Sequence, residues 1–395
     1  MTDRTAPRAA PTKPSPWNDP KVRAIVYQVA LIGSILLLGA YLVHNTLVNL
    51  EERQIRSGYG FLGQEAGFFM GESVIPFDAA DSYGRAFLAG LLNTLKVAFV
   101  GIVMATVLGT VVGIARLSRN WLLARLATSY VELLRNLPLL LQLFFWYATL
   151  TTLLPDALET EPLVAGIFVS KSGLAIPMPV ADSVHDVMWL ALVAGAAGAF
   201  VFARWARKRQ EATGAIVPTF LPSLGLIIGL PLLAWLAGGA PTEMDVPEKG
   251  KFAIVGGGVI TSEFMALLFG LVTYTASFIA EIVRAGILAV NWGQTEAASA
   301  LGLPRSRALR LVVLPQALRV IVPPLTSQYL NITKNSSLAV AIGYPDLVSV
   351  ANTTLNQTGQ AIECISVIMA VYLTISLGIA GYMNWYNKRI ALVER

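Results

Sequence analysis

FLAGLLNTLKVAFVGIVMATVLGTVVGIA, residues 87–115, followed at once by Arg116 and then Arg119, is the stretch on which the fold turns. It is an apolar stretch bounded by arginines. A helix apolar all round is solvated by lipid or by other helices, and about 20 such residues cross a bilayer. Composition extends this reading to the whole chain of 395 residues, of which 55% are hydrophobic and 13% charged. Soluble domains carry about 25% charged residues. The formal charge of +5 lies in short clusters beside apolar runs. Without a basic stripe interleaved with aromatics, it speaks for membrane topology and against nucleic acid. Cys364 stands alone and His44 and His185 are far apart, so the sequence offers neither a disulfide framework nor a metal-ligand cluster.

Outward from residues 87–115, the other runs fall into order. Residues 1–24 are proline-rich and basic and read as a disordered tail; residues 25–43 read as a first span, with no cleavage pattern after them. Residues 44–86, glycine-rich and acidic, read as an external loop. Further spans are expected at 126–154, 187–203, 216–237, 263–283, 317–332 and 362–383. The span at 317–332 is short and carries Arg319, Pro323 and Pro324. Eight spans with both termini cytoplasmic place the clusters at Arg116 to Arg125, Arg204 to Arg209, Arg305 to Arg310 and Lys388 to Arg389 on one side, as the positive-inside rule requires. The fold class is therefore all-α and polytopic, with about eight transmembrane helices.

The basic segment after residue 284 carries the function. Thr295 is placed to cap a short helix with Glu296 in its first turn, and Ala297, Ala298 and Ala300 keep that helix thin enough to enter another protein's groove. Gly302 suits a left-handed helix end, Pro304 the start of the next helix, and Leu314-Pro315 closes the segment. Glu296-Ala297-Ala298, then Gly302, then Leu314-Pro315 resembles the signature loop of ABC importer permeases; Val312 stands where that family usually has isoleucine. Asn93-Thr94-Leu95, Tyr130 to Pro138, Ala280 to Gly286 and Lys334 to Leu338 resemble the polar amino-acid permeases of the histidine, glutamine, glutamate and arginine type. Arg135-Asn136-Leu137-Pro138 in place of the family's Arg-Gly-Thr-Pro, the long outer loop and an extra helix pair within 155–262 look most like the Q-type subunit of general L-amino-acid permeases.

The resemblance implies a type I ABC transmembrane domain over residues 87–389, interrupted at about 155–262, in the bacterial cytoplasmic (inner) membrane. It implies a dimer of ATP-binding subunits docked on the Glu296 loop, a second permease subunit that is the same or a related chain, an extracytoplasmic solute-binding protein, and an amino-acid substrate. The chain has no phosphate loop, and Gly250-Lys251-Phe252 lacks both the earlier glycine and the following hydroxyl residue. No cofactor is expected on this chain, ATP and magnesium belonging to the partner ATPase, and no catalytic role is expected.

Candidate pathway groups are Thr94, Gln142, Tyr274, Ser277, Glu281, Asn335 and Ser336, each of which has helix-to-helix hydrogen bonding as its plain alternative. Glu281 and Arg284 share a helix face, as do Glu132 and Arg135, and each pair can neutralise itself. Alternatively Glu281 meets a substrate ammonium. A helix entering at Glu263 reaches Glu281 after about 27 Å at 1.5 Å per residue, close to the inner interface, which favours the ion pair. Lys334 has the reach to snorkel to an interface. Two other classes remain as alternatives. A secondary transporter would show inverted repeats and broken midplane helices, and a membrane enzyme would show convergent acid, base or metal groups.

Overall fold

A computed structural model describes residues 19–52, 57–164 and 166–390. Expectations for residues 1–18 and for Arg53 and Arg56 lie outside these. Among the described residues seven helices are long and apolar enough to cross a membrane, or eight if one bent pair counts as a single span. The chain is a helical membrane protein with small sheets inserted near its middle.

The first helix, α1 (Pro20–Glu52), starts earlier and ends later than the run at 25–43 suggested, so residues 20–24 are helical. It buries none of its apolar window against the rest of the chain. The tightly packed part is built on α2 (Tyr83–Ala115) and α7 (Ser262–Leu288), with α4 (Leu139–Leu153) and α10 (Leu314–Asn335) against them. Glycines set the approach of α2 to α7. A Cβ at Gly109 would lie 2.6 Å from Ile279 Cβ, and one at Gly113 2.7 Å from the Ala280 carbonyl oxygen. Small residues let backbones meet where no hydrophobic effect drives helices together.

The run at 126–154, expected as one span, is broken. Helix α3 (Trp121–Asn136) and α4 meet at 107°. The cause is local: Pro138 disfavours helical backbone at the residue before it, and Leu137 is extended at φ −96°, ψ 133°. Gln142 Nε2 donates across the corner to the carbonyls of Leu134 (2.9 Å) and Leu137 (3.1 Å), occupying two acceptors the break leaves open.

Residues 57–82 fold back on the starts of α2, α11 (Leu347–Thr358) and α12 (Ala361–Ile390). Phe61, Ala66, Tyr83, Phe87, Val350 and Cys364 form their small core. Between α4 and α7 lies an insertion. Strands β1 (Phe168–Ser170), β2 (Gly173–Ile176) and β7 (Gly258–Thr261) make an antiparallel sheet, with Gly173 opposite Thr261 and Ile176 opposite Gly258. From it β3 (Met178–Pro179) and β4 (Met244–Asp245) pair on the way into and out of a helix pair, α5 (Ser183–Thr213) and α6 (Phe220–Ala237); β5 (Glu248–Lys249) pairs with β6 (Ile254–Val255). These strands lie in the interruption at 155–262, for which only a helix pair was expected. The helices of the pair pack mainly on each other: a Cβ at Gly195 would lie 2.4 Å from the Leu226 carbonyl oxygen.

Two faces follow from chain direction. Helices α5 and α7 both leave the β-sheet region, and α2 and α12 both leave the 57–82 fold, so these belong to one face. The ends of α2, α5, α7 and α12 lie at the other, with Arg116, Arg204 to Arg209, the segment after Leu288, and Arg389.

Candidate functional site

The segment after α7 is a helix, a sharp bend, a short helix and a wide turn. Helix α8 (Trp292–Ala300) is capped by Asn291, whose Oδ1 accepts from Gly293 N at 2.8 Å. Thr295 is therefore not the cap and Glu296 is not in the first turn, because asparagine is as strong a cap as threonine and starts the helix about one turn earlier. Glu296 is instead held by the Trp292 indole, Nε1 to Oε1 2.9 Å, and is exposed together with Ala297. Ala298 turns inward and is buried. Gly302 has φ +74°, its N–H bonds the Ser299 carbonyl at 2.9 Å, and Leu303 N bonds the Ala298 carbonyl at 3.1 Å, which closes the helix end.

Pro304 precedes α9 (Arg305–Ala308), Leu309–Val313 forms a π turn, and Leu314-Pro315 opens α10. Proline fits there because the first-turn N–H groups have no partner within the helix. Gln316 Nε2 donates to Gln294 Oε1 at 3.2 Å, tying α10 back to α8. At the two ends of α8, Trp292 and Leu301 are 73% and 81% exposed. A hollow of about 810 Å³ beside it is lined by Thr295, Ser299, Arg305 and, from the α2–α3 loop, Arg119.

About two turns back along α7, Glu281 pairs with Arg284 at 3.2 Å and with Arg116 at the end of α2. Arg116 is the partner the sequence does not reveal, being 165 residues away. Arg135 contributes from α3; it lies 4.9 Å over the Phe278 ring, and no ion pair joins it to Glu132, contrary to the i,i+3 expectation. One carboxylate thus faces three guanidinium groups, joining α2, α3 and α7 near the face that carries α8.

The other expected polar groups separate. Thr94, fully buried, donates to the Gly90 carbonyl at 2.9 Å and accepts from Leu347 N at 3.1 Å. Ser336, also buried, donates to Thr333 O at 2.7 Å. Both lie next to the Tyr372 hydroxyl, as does Asp346, although that hydroxyl meets hydrogen-bond geometry with none of them. Asn335 ends α10 half-buried, and Lys334 beside it is exposed. Ser277 donates to its own helix at Tyr274 O, 2.6 Å, and the Tyr274 ring packs 5.0 Å from Phe278. Gln142 serves the α3–α4 corner.

Two groupings went unread. Glu72 pairs with Lys96 and accepts from Thr261 Oγ1 at 2.5 Å, while Lys96 also lies 4.3 Å over the Phe264 ring. Asn93 donates to the carbonyls of Glu72 (2.9 Å) and Pro345 (2.8 Å) and accepts from Val74 N (3.1 Å). Lys96 inside an apolar run was the available signal, since a charge at such a place needs a partner.

The described residues form a multi-span bundle that presents a two-helix elbow at one face. A sequence profile described as binding-protein-dependent transport system inner membrane component matches residues 213–391. The chain is 51% identical over 381 residues to the general L-amino acid transport system permease protein AapQ of Rhizobium johnstonii, covering 96% of this chain and 95% of that one. It is 50% identical over 380 residues to the putative amino-acid ABC transporter permease protein YhdX of Escherichia coli, covering 96% and 97%. A crystal structure of an amino acid ABC transporter with histidines aligns at TM-score 0.46 and 21% identity, over 78% of this chain and 95% of that one. The chain belongs to the amino-acid permease subunits of ABC transporters.

Proposed function

We propose that this chain and a second permease subunit, the same or a related chain, enclose an amino-acid uptake path across the bacterial inner membrane, that an ATPase dimer carrying ATP and magnesium docks on α8, and that an extracytoplasmic binding protein delivers substrate at the opposite face. Both termini are then cytoplasmic. The observation that carries this reading is the elbow: a thin helix with Glu296, Ala297 and Trp292 exposed, turned at Gly302 and clasped to α10 through Gln294 and Gln316. A push on α8 reaches α7 through the short Ala289–Asn291 link and α10 through the clasp, and these two helices pack on each other and on α2. Closure of the ATPase dimer would therefore move the bundle as a body, as alternating access requires. Residues Glu296, Ala297, Ala298, Gly302, Leu314 and Pro315 serve coupling.

The test is Gly302→Pro in the assembled complex. Proline fixes φ near about −65° and removes the N–H that bonds Ser299, so the bend at +74° is lost. Assembly should persist while uptake and substrate-stimulated ATP hydrolysis fall together; near wild-type values for both would mean that α8 does not couple.

For the pathway, Glu281 is read as a structural anion, because three arginines surround it. Thr94, Gln142, Ser277 and Ser336 already spend their donors on backbone carbonyls, which leaves Tyr274 and Asn335 as the freer candidates to face substrate.

A further inference from the structure

On the face that carries α8, but away from it, the end of α5 and the end of α12 line one hollow of about 650 Å³. Its walls are Phe200, Ala203, Arg204, Arg207, Lys208 and Glu211 from α5, and Arg389 from α12. Four cations thus meet one carboxylate. Among the described residues none of Arg204, Arg207, Lys208 and Arg389 has an ion-pair partner. Arg389 is steadied over the Trp385 ring at 4.2 Å, and the neighbouring Arg209 over Trp205 at 5.3 Å. Trp205 and Trp385 are about half exposed, with Tyr382 packed 5.8 Å from Trp385 and Tyr386 stacked on Tyr382. Indole and phenol rings on the outside of a bundle mark the headgroup level of a bilayer. One turn before Arg204, Phe200 and its neighbour Val201 on α5 are exposed and apolar.

We propose that this hollow is a binding site for an anionic phospholipid, its phosphate held by Arg204, Arg207, Lys208 and Arg389 and its acyl chains lying against Phe200 along α5. Each element of the site answers one part of such a molecule. Guanidinium groups offer paired donors to phosphate oxygens. Basic pockets between membrane helices take lipids with phosphate headgroups. The apolar wall distinguishes a lipid from free phosphate, which would gain nothing from Phe200. A bound lipid would also join α12, part of the bundle, to the α5–α6 pair, whose helices otherwise pack mainly on each other. Basic residues that serve only to orient the chain during insertion predict no lipid preference afterwards, and this separates the two roles. The site needs only that the chain is membrane-embedded, and it stands whether or not α8 couples to an ATPase.

The experiment uses the assembled complex, purified in detergent and titrated with phosphatidylglycerol or phosphatidylethanolamine of the same acyl chains, with bound lipid counted by native mass spectrometry. The wild-type complex should retain phosphatidylglycerol in preference, lose that preference as salt is raised, and keep it when inorganic phosphate replaces chloride at fixed ionic strength. Equal retention of the two lipids, or emptying by inorganic phosphate alone, would overturn the proposal without any variant. Each basic side chain near an anionic surface is worth about fivefold in binding, so R204Q/R207Q/R389Q should lower the preference by about tenfold or more, and R204K/R207K/R389K should restore most of it. A glutamine variant that keeps the wild-type preference, or one that instead loses its ATPase partner with lipid retention unchanged, would show that the cluster does not bind lipid.

Discussion

Helices α7 and α5 have the same mean hydropathy, 1.8, yet 61% of the apolar window of α7 is buried inside the chain and 11% of that of α5. Their neighbours sharpen the contrast. A Cβ on α2 at Gly109 or Gly113, or on α7 at Gly286, would meet atoms at 2.3–2.7 Å, whereas Gly33 and Gly39 on α1, Gly225 and Gly229 on α6, and Gly378 and Gly381 on α12 have nothing within 4 Å. Hydropathy reports that a helix can live in lipid. What it touches there is set by small residues at the contact, and the two kinds of glycine look alike until the helices are placed.

The largest expected effect tests the packed half. Gly113→Leu should drive a side chain into the Ala280 carbonyl and Val283, and the chain should fail to accumulate as an assembled complex; wild-type yield and melting temperature would mean that α2 and α7 do not approach as closely as this. Next comes Glu281→Gln, which leaves Arg116, 11% exposed, without its carboxylate. Because Glu281 is about one-third exposed, the loss should be about 1–2 kcal/mol, below the figure for a fully buried pair. Arg116→Gln should rescue it better than Arg284→Gln, read as melting temperature and abundance. The opposite order of rescue would return the main role to the i,i+3 pair.

A third, pH-linked effect concerns Asp346, between the spans. Its Oδ1 caps α11 through Ser349 N at 2.8 Å, its Oδ2 is buried without a partner, and burial pushes the carboxyl up to about 7. An acid raised above its unfolded value of about 3.9 binds more protons folded than unfolded, so its contribution to stability falls as pH rises from about 4 to about 7. Asp346→Asn, which keeps a capping oxygen, should flatten that slope in melting temperature against pH; an unchanged slope would assign it to other groups. The smallest effect should come from the unpacked side. Gly33→Leu and Gly39→Leu on α1 should shift stability by less than about 0.5 kcal/mol, and a large loss would reveal a partner surface on α1.

Most of the membrane fold was legible, because runs such as 87–115 and 263–283 are long, apolar and bounded by charges. What was misread had local or long-range causes. Residues 126–154 are apolar throughout, and only Leu137-Pro138 signals the corner. The strands of the insertion are two to four residues long, too short for alternation to show. In the elbow after α7, the left-handed bend at Gly302 could be read from residue type, but Asn291 and Thr295 are both good caps on paper and only the backbone chooses. Glu281 was visible as a charge needing an answer; that Arg116 and Arg135 supply it depends on how α2 and α3 cross α7, which no spacing encodes.

The pairing of Ile176 with Gly258 makes the insertion a detachable cassette. Chain leaves and returns at the two ends of one rung of the ladder, so whatever lies between is hung from the sheet. Excising residues 177–257 and rejoining the two ends with a two-residue Asn-Gly turn, the connection such antiparallel strands favour, would leave every contact of α2 with α7 in place. The sheet works as a grafting point, at which a helix pair can be added or removed while the packed bundle keeps its own register.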